Sequence, residues 1–190
     1  MKTHQIIATQ KRVGADPDGF WGPMSTRAAQ AHLQRMMPNP HPFPRQRDVA
    51  KFYGIPGDVD RRKISIPFPI YYEDKAVQEL SPHTLCADSL VRVFARLEAA
   101  YPTEDDRQAA GITVYDGLYN PRKMRGGSAW SMHAWAIAID LNAAKNGNRD
   151  HWPTRSSMPI EVMECFAQEG WTAAGAFWSR DAMHFQATQP

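Results

Sequence analysis

The sequence predicts an α+β fold, a small and largely antiparallel sheet with helices packed on it, preceded by a small all-helical unit. Three observations predict this. Ala87, Leu90, Val91, Phe94 and Leu97 recur at three- and four-residue steps, which gives one strong helix an apolar stripe that must pack on something. Short β-prone apolar runs lie at Ile112 to Tyr115, Ala136 to Leu141 and Ala182 to Ala187, interleaved with helical stretches. The first forty or so residues carry helix signals and turn residues but no strand. Strands and helices mixed in this order indicate α+β layering.

Taken in chain order, Ile6, Ile7 and Gln10 begin a first helix that gives way to a loop from Gly14 to Pro23 rich in Gly, Asp and Pro. Ser25 reads as the N-cap of a second helix with Ala28, Ala29, His32 and Leu33 at amphipathic spacing, and Pro38 ends it. PNPHPFP, Pro38 to Pro44, has four prolines in seven residues, the composition of a semi-rigid spacer. The expected division is therefore a helical unit over 1–37, a linker over 38–47 and a main domain over 48–190. KFYGIPGDVD and ISIPFPIYY carry turn signals around short β-prone pieces and predict an irregular stretch with a few strands. The strong helix lies between Ser81-Pro82 and Tyr101-Pro102, and we place it behind the sheet that bears the site. Pro159 to Glu169 reads as a helix closed by Gly170, and Ala182 to Ala187 as the last strand.

Composition narrows the function. Across 190 residues, 43% are hydrophobic, enough for a real core. A formal charge of +2, from 22 basic and 20 acidic residues, argues against a dedicated nucleic-acid binder, although slight basicity suits an anionic surface such as a cell wall. Cys86 and Cys165 lie far apart without a CxxC partner and read as buried thiols. MKTHQIIATQ has no apolar run long enough for a signal-peptide core, and no later segment is long enough to span a bilayer. Synthesis and folding in the cytoplasm are expected, with no membrane insertion.

The chemistry concentrates in the C-terminal half. His133, Asp140 and His184 offer two imidazole nitrogens and a carboxylate, a donor set suited to zinc with one tetrahedral position left open. Asp181, three residues before His184, is placed to accept a proton from water at that position. An acid inside the apolar run ending at Leu141 is costly unless paired or metal-bound, which sets these two histidines apart from His4, His32, His41, His83 and His151.

SMHAWAIAID, Ser131 to Asp140, resembles the SxHxxGxAxD signature of zinc peptidases that cut peptidoglycan stem peptides, a family of D-Ala-D-Ala peptidases and phage L-alanyl-D-glutamate endopeptidases. DAMHF, Asp181 to Phe185, is similar to the family's second motif, and YNPRKMRGGSAWSMHAW is closest to the phage-endolysin branch. The resemblance covers roughly residues 50 to 188. It implies zinc bound by His133, Asp140 and His184, with Asp181 as catalytic base. It also implies an arginine upstream of the first motif that grips a carboxylate or an oxyanion, a role for which both Arg125 and Arg122 stand as candidates. Ser131 and Trp135 are candidates for substrate contact, with loop capping the alternative for Ser131. Most of Trp130, Trp135, Trp152, Trp171 and Trp178 should be core, with one or two walling the cleft.

Two departures from the family pattern stand out. Ala136 replaces a glycine, which costs energy if the backbone there has positive φ. Asp181 stands where many relatives have glutamate. A second resemblance lies upstream: VGADPDGFWGPMSTRAAQAHLQ is similar to the DPDGxFGPxT signature of a small peptidoglycan-binding domain, with Phe20 and Trp21 as candidate contact surfaces.

Together these imply an endolysin whose partner is peptidoglycan, monomeric and reaching the wall through a separate holin-type protein. The rival readings are a D-Ala-D-Ala carboxypeptidase, a catalytically silent wall-binding protein, and a non-haem iron oxygenase, which the long gap between His133 and Asp140 fits poorly.

Overall fold

A computed structural model describes all residues from 1 to 190. Helices α1 (Thr3–Val13) and α2 (Pro23–Met36) form the N-terminal pair. Ser25 does not cap α2. Gly22 is the N-cap and Pro23, whose fixed φ suits the first helical position, starts the helix one turn earlier than expected. Ser25 is instead buried and accepts a hydrogen bond from Gln10 Nε2 at 3.1 Å. Fully buried Gln10 also donates to Asp18 Oδ1 and to the Phe20 carbonyl and accepts from Gly19 N–H, so one side chain organises the DPDG loop.

The helix pair is docked on the rest of the chain. Ala29 and Leu33 join the same continuous apolar core as Trp171 and Phe185, and α2 packs on α7 (Ile160–Ala167) and α8 (Ala174–Trp178). The guanidinium of Arg12 grips both carboxylate oxygens of Glu164 at 2.7 Å, and His32 Nε2 reaches the same carboxylate at 2.8 Å. The proline-rich stretch is held too, since Phe43 is buried edge-on against Trp171.

After the short helix α3 (Val49–Tyr53), the chain forms an antiparallel hairpin of β1 (Ile64–Tyr72) and β2 (Lys75–Leu80). Alternating burial along β1 puts Ile64, Ile66, Phe68 and Ile70 on its core face. The apolar stripe forms α4 (Thr84–Ala100), capped by His83, whose side chain accepts from Leu85 N–H. It packs on β1 and α7 rather than behind the site-bearing sheet, because β1 presents the longer apolar face. A further helix, α5 (Glu104–Ala110), starts with a Thr103/Asp106 capping box.

The second sheet is antiparallel in the order β3-β4-β6-β5, from β3 (Tyr115–Gly117), β4 (Ala138–Leu141), β5 (Thr172–Ala173) and β6 (His184–Gln186). The architecture is thus α+β as expected, with two small sheets where one was anticipated. The strands are shorter than the apolar runs. Ile112 lies in a turn before β3, residues Met132–Trp135 form a 3-10 turn before β4, and Ala182 and Met183 belong to the turn entering β6. A four-residue helix α6 (Ala143–Asn146) follows β4, and α7 is closed through Gly170, whose φ of 83° admits glycine readily. Cys86 and Cys165 are both free and buried, and burial raises their thiol pKa values to about 12 and about 11. No helix is long and apolar enough to cross a membrane.

Candidate metal centre and its cleft

The register of the second sheet builds the site. Asp140 on β4 lies directly opposite His184 on β6, so period-2 alternation sends both side chains to the same face. His133 arrives from the 3-10 turn before β4, where Ser131 Oγ caps the turn by accepting His133 N–H at 3.4 Å. The result brings the three donor groups within 4.8 Å of one another. His184 Nδ1 lies 2.9 Å from Asp140 Oδ1 and 3.3 Å from His133 Nε2, and His133 Nε2 lies 3.2 Å from Asp140 Oδ2.

The far side of each imidazole decides which nitrogen faces this point. His133 Nδ1 is 2.9 Å from the Leu118 carbonyl, an acceptor only, so Nδ1 carries the proton and Nε2 presents its lone pair inward. His184 has the opposite arrangement: Nε2 lies 3.1 Å from Gln186 Oε1, leaving Nδ1 inward. Gln186 Nε2 in turn donates to Thr188 Oγ1 at 2.6 Å, which orients the amide with its oxygen toward the ring. Such a set of buried donors, with tautomers preset, fits a divalent ion.

Asp140 is pulled two ways. Burial alone would raise its pKa, but the close imidazoles of His133 and His184 outweigh it and hold it well below the usual carboxylate range. Asp181 behaves oppositely. Burial pushes its pKa up, and the attraction of His184 does not cancel that rise. Its Oδ1 is buried without a hydrogen-bond partner. An unpaired buried carboxylate oxygen next to a ligand cluster is costly as structure and apt as a proton acceptor.

Strain surrounds this centre. Ala136, Asn142, Ser179 and Asp181 all have φ between 55° and 61°. Ala136 therefore does occupy the positive-φ position at which glycine would be favoured, and its carbonyl accepts from His83 N–H at 2.9 Å. The Asp181 turn is braced from below by α8, where Gly175 allows close approach: a Cβ there would lie 2.8 Å from that of Ala182. Buried Asn146 braces it from the side, its carbonyl accepting Met183 N–H at 3.1 Å.

The centre opens into a cleft of about 500 Å³ lined by Arg61, Tyr72, Glu79, Tyr115, Tyr119 and Arg122 together with His133 and Asp140. Arg122 thus lies at the cleft, whereas Arg125 sits on an exposed loop and is not part of its lining. Trp135 is buried and donates from Nε1 to the Gly54 carbonyl, so its indole is committed to the core. Trp178 is the tryptophan beside the centre, 39% exposed and stacked on His184 with centroids 5.8 Å apart. In the N-terminal unit Phe20 is 73% exposed, while Trp21 packs edge-on against Trp152. Gln186 escaped sequence reasoning although its signal was present: two residues beyond His184 on a strand, it shares that ligand's face. Arg61 carried no such signal.

Residues 125–187, about a third of the chain, match the family model described as D-alanyl-D-alanine carboxypeptidase. The matched stretch contains His133, Asp140, Asp181, His184 and Gln186. It supports a metallopeptidase of the kind that acts on peptidoglycan. Comparison with curated proteins and with solved structures gives no match.

Proposed function

We propose that this chain is a zinc-dependent peptidoglycan endopeptidase of the phage endolysin type, hydrolysing the L-alanyl-D-glutamate amide of the stem peptide to lyse the host. One observation carries the reading. Three preset donor groups meet at one point, and the adjacent acid keeps a buried oxygen free of any partner.

His133 Nε2, Asp140 and His184 Nδ1 would hold the ion. Zinc, when bound, polarises the scissile carbonyl and lowers the pKa of water from about 15.7 to about 7. Asp181 takes the proton of the attacking water on its free oxygen and delivers it to the leaving amine. Arg122, at the cleft wall, orients the substrate through a carboxylate. Leu118 and Gln186 keep the two imidazoles aligned. The helix pair with its exposed Phe20 adds a wall-binding surface, and access to the wall comes through a holin-type partner.

The family description favours a second reading, removal of a terminal D-alanine. Digesting purified wall and identifying the products separates the two. New D-glutamyl amino termini support the endopeptidase, released D-alanine supports the carboxypeptidase, and no soluble product contradicts both.

A further inference from the structure

Arg61 stands in the cleft with nothing to neutralise it. Its neighbours are paired, Arg62 with Asp88 and Lys63 with Glu79. The acids of the cleft wall are engaged as well: Glu79 lies 3.0 Å from Lys63, and Asp116 accepts Ala143 N–H at 2.7 Å. Arg61 pairs with no carboxylate, and the guanidinium of Arg122 bonds only the Lys123 carbonyl, at 3.3 Å.

Arg61 is nevertheless held in place. Its backbone bridges to His83, and the next residue's N–H donates to the Pro82 carbonyl at 3.0 Å. Its guanidinium lies over the ring of Tyr119, 4.1 Å from the centroid. The Tyr119 hydroxyl is tied to the Gly57 carbonyl at 2.8 Å, and the residue before Tyr119 supplies the carbonyl that fixes His133. A guanidinium resting over an aromatic ring retains N–H groups for a bidentate bond to a carboxylate.

We propose that Arg61 and Arg122 bind two separate carboxylates of one substrate, so that the cleft selects peptides carrying two such groups near the scissile amide. This rests on reading the cleft as a peptide site. It deepens the endopeptidase assignment. A bond followed by D-glutamate and then a diacidic amino acid such as diaminopimelate presents two free carboxylates beyond the cut, whereas a terminal D-alanine presents one.

The test uses the zinc-loaded Asp181→Asn protein, which retains peptide without turning it over, and titration calorimetry. The probes are a synthetic L-Ala-γ-D-Glu-diaminopimelate peptide whose C-terminal carboxyl is blocked as an amide, and two versions in which one of the two remaining carboxylates, that of D-glutamate or the side-chain one of diaminopimelate, is also an amide. Arg61→Gln should weaken binding of the free peptide about 10- to 100-fold, with unchanged zinc content. That penalty should persist for one amide and shrink below about threefold for the other. Arg61→Lys, which keeps charge but not the planar fork, should fall between and serves if the glutamine variant does not fold. Equal penalties on all three peptides, no penalty, or no binding of any peptide would overturn the proposal. Turnover of the same free peptide by wild type is measured separately: selective binding without cleavage contradicts the hydrolase reading and leaves the role of Arg61 standing.

Discussion

The backbone N–H of His184 donates to the carbonyl of Asp181 at 2.9 Å, so proposed ligand and proposed base occupy the two ends of one tight turn. That turn holds Asp181 at a φ of 61°. Aspartate is tolerated better there than most residues. A short acid on a turn this tight stays close to the histidine that follows it.

Asp181→Asn keeps the turn and removes the base. Activity should fall by about 10²- to 10⁴-fold while zinc content stays the same. Burial of an unpaired carboxylate is also relieved, so the thermal midpoint should hold or rise. Paired assays of turnover, metal content and melting check all three.

Zinc should stabilise the fold. At about 1,000 times its dissociation constant, a ligand specific for the native state adds about 4.1 kcal/mol. For a chain of this size that moves the midpoint by roughly 10 °C. His133→Ala should abolish most of the shift, as read by differential scanning calorimetry with and without added zinc.

Gln186→Leu removes the acceptor that sets the His184 tautomer. Zinc affinity should drop about 10- to 100-fold by chelator competition. Nitrogen-15 NMR of the imidazole should show wild-type His184 protonated at Nε2 in the metal-loaded protein. Gln186→Glu retains an acceptor oxygen and should recover most of the affinity.

Ala136 sits at φ 55° and is fully buried. Replacing it with glycine relieves roughly 1–2 kcal/mol of left-handed strain and loses about 0.8 kcal/mol of buried methyl. A net gain of up to about 1 kcal/mol is expected in denaturant titrations. Ala136→Val should instead destabilise by more than 2 kcal/mol, through overpacking of about 1–3 kcal/mol added to greater backbone strain.

Glu164 fastens the N-terminal helices to α7. Burial pushes its pKa up, but Arg12 and His32 outweigh that and leave it below its ordinary value. A depressed folded pKa means the contribution is fully present above the unfolded value, near 4.3, and is lost as pH falls through the folded value. Hydrogen exchange of α1 and α2 should therefore accelerate below about pH 4, and Glu164→Gln should remove much of that acid dependence.

The clustering of His133, Asp140 and His184 was legible in the sequence because an acid and two histidines sit at fixed offsets in two apolar motifs, and the antiparallel register then had only to set Asp140 opposite His184. Helix α4 was legible because its stripe, Ala87 to Leu97, keeps helical period over about three turns. Its packing partner was not, since periodicity shows that a face is buried but not against what. Pro23 displaced Ser25 as the start of α2 because a preset φ at the first helical position competes with side-chain capping. Arg61 was hidden for a different reason: only tertiary structure brings it to Tyr119, 58 positions along the chain.

The account rests on one ion held by His133, Asp140 and His184. Anomalous diffraction from crystals at the zinc absorption edge tests this most directly. We expect a single peak about 2.0–2.2 Å from His133 Nε2, His184 Nδ1 and an Asp140 oxygen. Crystals soaked in zinc that show no peak there, or a peak elsewhere on the molecule, would contradict it.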